Sequence, residues 1–220
     1  MSDMKPIKVW GAGGPNPPKV AILLEELNIP HEIVSISFPD LKQPDYLKIN
    51  PNGRMPAIED PNTGLTLWES GAIIEYIIEK YDTAHKLSFA PGSNDAYLAK
   101  QWLFYQVSGQ GPYYGQAVWF TKFHGEKVPS AVERYTNEIN RVTSVLEGHL
   151  KEQKEKNAGG DGPWLVGGKM SYADLAFVPW QRLVPMLEGH KPEEYPLVKE
   201  WIGKMTERKA LKSVFEKADH

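Results

Sequence analysis

The sequence contains no cysteine. Disulfides, thiolate metal sites, CxxC redox pairs and a cysteine nucleophile are thereby excluded together, so any sulfur chemistry must use a substrate's sulfur. Positive charge is also in short supply. Twenty-five Lys and Arg stand against 28 Asp and Glu, for a net charge of −3, which leaves no basic footprint for a phosphate backbone and argues against a nucleic-acid partner. Long apolar runs are missing. The longest, such as Val20–Leu24, are far too short to cross a bilayer, and the opening MSDMKPIK has no signal-like apolar stretch. The expectation is a soluble, cytoplasmic protein with no membrane partner. The six His are scattered and GAGG lacks the dinucleotide spacing, so neither a metal nor a nucleotide cofactor is expected.

What is present is enough apolar mass for a sizeable core: 220 residues, 41% of them hydrophobic, allow one large domain or two small ones. Residues 7–82 alternate in pattern. Ile7–Trp10 is a short strand, Lys19–Leu27 a helix, and His31–Ser37 an alternating strand. Pro44–Ile49 is a helical turn, Ala57–Asp60 and Leu65–Trp68 flank a PNTG hairpin turn, and Ser70–Tyr81 is a helix with an isoleucine stripe. The order β-α-β-α-β-β-α suits a sheet with helices on its faces. Residues 83–94 read as a linker, and 95–220 carry helical periodicity without a convincing strand. Ala131–Leu150 is the clearest helix there, followed by a charged, glycine-rich loop over 151–162. Ser171 and Asp174 have capping-box spacing, and Pro179 should kink the next helix or mark its end.

Three local signals carry chemistry. In PNPPKV, Asn16 precedes a helix start, where free backbone N–H groups and a helix dipole favour an anion. Taken alone, turn chemistry is the better account of it. In GRMPAI, Pro56 leads a strand, and a cis Met55–Pro56 bond would turn the Met55 backbone toward an extended peptide; an ordinary trans proline is the alternative. In WESGAI, Ser70 and the N–H groups of a helix start suit a carboxylate, and Glu69 suits an ammonium. A plain N-cap serine is the alternative.

Taken in order, and together with NPNGRMPAIED, LWESGAI and YADLAFVPW, these signals resemble the glutathione transferases over nearly the whole chain. PN before KVAILLEEL, AVERYTNEINRV and FYQVSGQGPYYGQA resemble the fungal branch related to the yeast nitrogen-regulator and prion protein; bacterial disulfide-reductase-like members are also similar. The resemblance implies an α/β thioredoxin-like N-terminal domain (1–82), an all-α C-terminal domain (95–220), a homodimer, and an active site between the domains. It implies that Asn16 faces the glutathione sulfur as the catalytic residue, that the Met55 backbone, before Pro56, pairs with the cysteinyl unit, that Glu69 and Ser70 grip the γ-glutamyl end, and that Arg54 is among the glutathione-binding residues. Arg134 matches an arginine reaching the ligand of the partner subunit. Leu41 stands where relatives often carry His or Gln for the glycine carboxylate, leaving Lys42 or Gln43 to substitute, and Gly14 replaces a threonine of the bacterial relatives. Lys19 is assigned to the solvated helix face.

The implied activity is attack of the bound glutathione thiolate on a small hydrophobic electrophile, a hydroperoxide or a mixed disulfide, a detoxification chemistry. Tyr113, Tyr114, Trp119 and Phe120 are the candidate electrophile pocket, of which one or two are expected to line it, with Pro112 kinking a helix nearby. The rival reading is a regulatory or binding protein on the same fold.

Overall fold

The computed structural model, which describes residues 4–187 and 189–218, contains a four-stranded sheet whose first strand alternates buried and less buried residues. The strands are β1 (Ile7–Trp10), β2 (His31–Val34), β3 (Ala57–Asp60) and β4 (Leu65–Trp68), in the order β2-β1-β3-β4. β1 pairs parallel with β2 and antiparallel with β3, and β3 pairs antiparallel with β4. A parallel pair needs a crossover, and α1 (Asn16–Leu27) supplies it between β1 and β2. β2 ends at Val34, short of the expected Ser37.

α1 begins at Asn16, three residues earlier than its apolar pattern indicates, because Pro17 and Pro18 are tolerated in a first helical turn. It ends at Asn28, whose left-handed φ of 55° returns its N–H to the carbonyls of Leu24 and Glu25. Val20, Ala21, Ile22, Leu23 and Leu24 are all buried, so apolar contact surrounds this helix. A short α2 (Pro44–Leu47) follows β2, and α3 (Ser70–Tyr81) packs beside α1 through Ile73, Ile74 and Ile77.

The chain forms two compact units: residues up to Leu87 together with those from Glu207 on, and residues 88–206. The final helix therefore belongs with the sheet, not with the helices before it. Leu211, Val214 and Phe215 of that helix are buried, and two ion pairs reach α1. Arg208 grips the buried Glu26 carboxylate with both prongs, Nε to Oε1 at 2.6 Å and Nη2 to Oε2 at 2.8 Å. Lys217 Nζ lies 3.1 Å from Glu25 Oε1. Glu26 also has Lys86 Nζ 3.9 Å away. Removing one partner of a buried pair strands the other charge. Arg208→Met is expected to lower stability by about 1–3 kcal/mol, discounted because the arginine is partly exposed. Urea unfolding should read this, and limited proteolysis should show earlier cleavage near residue 208.

The second unit is helical: α4 (Asn94–Tyr105), α5 (Gly111–Val118), α6 (Pro129–Lys156), α7 (Tyr172–Gln181) and α8 (Pro196–Thr206). Wide π-type turns over Gln106–Gln110 and Trp119–Phe123 join α4 to α5 and extend α5. Pro112 is the second residue of α5, directly after the π turn, with helical backbone on both sides of it. α6 runs to Lys156, so residues 151–156 are helix and not the expected loop. Lys154 and Lys156 favour the negative end of the helix dipole, and Lys156 pairs with Glu152 at 3.7 Å. Pro179 lies inside α7, two residues before its end. α9 (Lys209–Ala218) completes the sheet unit. Among the described residues, no helix is long and apolar enough to cross a membrane.

Candidate functional site

Strand register gathers the three sequence signals at one end of the sheet. Trp10, the last residue of β1, pairs with Ala57, and Ala57 pairs with Trp68. The turn to Asn16, the Met55–Pro56 step and Glu69–Ser70 each adjoin one of these three residues.

Gly11 has φ 106°, and a Cβ there would lie 2.6 Å from Met55 Cβ and 2.7 Å from its sulfur. Glycine is thus required for the turn to meet the methionine loop. Asn16, half-buried, is the first residue of α1. Pro17 and Pro18 carry no N–H, so two of the helix's normally unpaired first donors do not exist. The expected backbone cradle is therefore depleted, and the burden of donating to an anion shifts to the Asn16 amide.

The Met55–Pro56 bond is cis, which resolves the sequence alternatives at Pro56. The Arg54 carbonyl is fixed by the Tyr46 hydroxyl at 2.7 Å and Asn50 Nδ2 at 2.6 Å, while the Arg54 side chain is exposed. Lys42 Nζ donates to the Asn52 carbonyl at 3.1 Å, on the same loop. Leu41 is buried, so it fills the core and offers a ligand nothing.

Glu69, not Ser70, takes the N-cap position of α3, with φ 73°. A non-glycine residue in that region costs about 1–3 kcal/mol and persists only where its surroundings hold it. Farther along α3, at the opposite end of the β3–β4 hairpin, Asp60 ties the helix to the sheet. Tyr76 donates to its carboxylate at 2.6 Å, Tyr81 donates as well, and Asn62 contributes its backbone and side-chain N–H at 2.8 and 2.9 Å. Burial alone would raise the Asp60 carboxyl, but these hydrogen bonds outweigh it and hold it below its usual value.

Sequence reasoning missed Lys19. It is 3% exposed, not solvated, and its Nζ donates to the Ser70 hydroxyl oxygen at 3.4 Å. Burial pulls its pKa down to about 7, against the opposing pull of Glu69. The unbroken apolar run behind it was the available signal, because a helix buried all round leaves no wet face for its first-turn lysine.

In the helical unit, Tyr114 is fully buried. Its hydroxyl meets Thr143 Oγ1 at 3.1 Å and Gln181 Nε2 at 3.3 Å, and burial pushes the phenol's pKa up. It is a core residue and leaves the candidate pocket. Tyr113 and Phe120 are half-buried against Tyr135, with Phe120 stacked on it at 5.7 Å. Trp119 and Arg134 are exposed. Among the described residues, no group of three or more His, Cys, Asp or Glu is arranged to hold a metal ion.

A mixed sheet with a cis-proline ahead of an antiparallel strand, followed by a helical unit, defines a thioredoxin-like protein with an added helical part. Comparison with known proteins narrows this. The glutathione S-transferase N-terminal domain model matches residues 5–79, and the glutathione S-transferase C-terminal domain model matches residues 111–209. The chain belongs to the glutathione S-transferase family. It is 62% identical to the glutathione S-transferase-like protein tpcF of Aspergillus fumigatus, over 94% of each chain. The crystal structure of the glutathione transferase URE2P6 from Phanerochaete chrysosporium in complex with oxidized glutathione is 47% identical, covers 100% of this chain and 99% of that one, and superposes with a TM-score of 0.89. The nitrogen regulation fragment of the yeast prion protein URE2P is 38% identical over 96% of each chain, with a TM-score of 0.90.

Proposed function

We propose that this protein is a glutathione transferase in which Asn16 stabilises the glutathione thiolate for attack on a small hydrophobic electrophile, with hydroperoxides and mixed disulfides as further substrates. The observation that carries this reading is the gathering of Asn16, Met55–Pro56 and Glu69–Ser70 at one sheet end. That set suits a zwitterionic peptide: Ser70 and the α3 N-terminus for the γ-glutamyl carboxylate, Glu69 for its ammonium, and the Met55 backbone for the cysteinyl unit. Arg54 and Lys42, with their exposed cations, serve the glycine carboxylate. Asn16 cannot accept the thiol proton, so it acts by donating to the charged sulfur. Holding a thiol roughly two pKa units below about 8.5 requires about 2.7 kcal/mol. A hydrogen bond to a charged group contributes about 1.5–3 kcal/mol, and the helix dipole adds to it.

In this reading residues 1–82 bind glutathione, 83–94 link, and the helical part supplies the electrophile pocket through Tyr113, Trp119 and Phe120. The protein works as a cytoplasmic homodimer in detoxification, with Arg134 reaching the partner's ligand. Tyr97, Phe104 and Phe123 leave apolar surface on the helical unit, which supports association. Likeness to the yeast nitrogen regulation fragment favours a second reading, a regulatory protein with weak or no catalysis. A thermal shift with glutathione, followed by turnover of an aromatic electrophile and of a hydroperoxide, separates them. The transferase reading expects a raised melting temperature and turnover of at least one substrate. Binding without turnover of either would leave the regulatory reading.

A further inference from the structure

We propose that Lys19 is a proton-linked anchor for the anionic ligand: its side-chain nitrogen, buried behind Ser70, takes up a proton as a carboxylate seats at the start of α3. This rests on the glutathione reading above. Lys19 follows Asn16 by three residues, one turn along the same face of α1. Its Nζ donates into a lone pair of the Ser70 hydroxyl, which leaves the Ser70 O–H to point at an outside acceptor. Ser70 is itself 8% exposed, so the amine and the hydroxyl form one buried polar pair at the helix start.

The charges around it are otherwise committed. α1 packs against β1, β2, α3 and α9. From the α3 side, the Glu69 carboxylate acts on Lys19. From β1 come the buried, uncharged Ile7 and Val9. His31 of β2 and Lys217 of α9 face Glu25, and Arg208, just ahead of α9, faces Glu26. With its pKa near 7, the amine is divided between neutral and charged forms at neutral pH.

A ligand changes that balance. The peptide carries two carboxylates and one ammonium. Its ammonium on Glu69 weakens the existing pull on Lys19, while its carboxylate at Ser70 adds a nearer one. Lys19 gains a proton from solvent, forming an N–H bond, and where the thiol ionises, that proton goes to solvent in the opposite sense. The bound state thus holds more protons on Lys19 than the free state. Affinity from this source is fully present below the free pKa and is lost as pH rises through the bound pKa.

The test is calorimetric titration of the full chain with S-methylglutathione, whose thiol is blocked, at about pH 8 in two buffers of different ionisation enthalpy. The unchanged protein is expected to take up about 0.5 proton more per ligand than Lys19→Met. Lys19→Arg, which stays charged, should bind without that extra uptake. Equal proton counts in all three proteins, with binding retained, would overturn the role of Lys19 alone. No binding by the unchanged protein would overturn the glutathione reading with it. If the variants do not fold, the unchanged protein decides: its affinity for S-methylglutathione is expected to fall roughly fivefold or more from about pH 7 to about pH 9. A flat profile would overturn the proposal.

Discussion

Asn16→Ala is expected to cut turnover with an aromatic electrophile at least tenfold while leaving the unfolding midpoint nearly unchanged. A tenfold loss corresponds to about 1.4 kcal/mol, the lower end of a hydrogen bond to a charged group. The loss should be that large because the usual substitutes are thin here. The first turn of α1 lacks two backbone donors at Pro17 and Pro18, and residues 11–19 contain neither Tyr nor Ser. The fold should survive, because Asn16 is half-buried at the helix edge and the helix is held by its apolar body. Asn16→Asp sharpens the test. It keeps the shape but replaces the donating amide with a carboxylate, which repels a thiolate, so turnover should drop below that of the alanine variant. Steady-state rates at fixed glutathione check both. Unchanged turnover in Asn16→Ala would move the work to the remaining N–H groups.

Asp174→Ala is expected to be the most damaging change to stability, by about 3–5 kcal/mol. This carboxylate has no exposed surface and accepts from Ser171 N, Ser171 Oγ, Leu165 N and Trp201 Nε1, each at 2.9 Å. It closes the capping box of α7 and also anchors the loop at Leu165 and a tryptophan of α8. Burial raises its carboxyl above the ordinary value, and the surrounding donors keep its oxygens satisfied. Alanine strands two buried backbone N–H groups and an indole N–H, each costing about 1–3 kcal/mol. Asp174→Asn keeps an acceptor and should lose less. Urea titration followed by far-ultraviolet circular dichroism measures both.

Legibility in the sequence followed the range of the interaction involved. The strand and helix order of residues 7–81 is set by local periodicity and turns, and it reads off directly. The Ser171–Asp174 box is a contact between residues three apart, and it is present as read. Helix ends were harder. α6 overruns Leu150 because its charged tail satisfies the helix dipole and pairs with itself, which an apolar pattern does not register. Tyr114 was indistinguishable from its neighbour Tyr113 until the partners Thr143 and Gln181 were known, since both lie far along the chain. Lys19 shows the same limit at the candidate site. Its charge argues for water, but packing by α3 and α9 around α1 decides otherwise.

The Glu26–Arg208 grip has a consequence for the order of events during synthesis. The sheet unit is made of two stretches separated by the whole of residues 88–206. On the ribosome, the helical unit is therefore complete in sequence before the sheet unit has received its last helix. Glu26, made early and destined for burial, waits through the translation of 181 intervening residues for the guanidinium that neutralises it. In the interval Lys86 is the nearer cation in sequence, so a nascent chain stalled before Arg208 should expose the α1 face that α9 later covers.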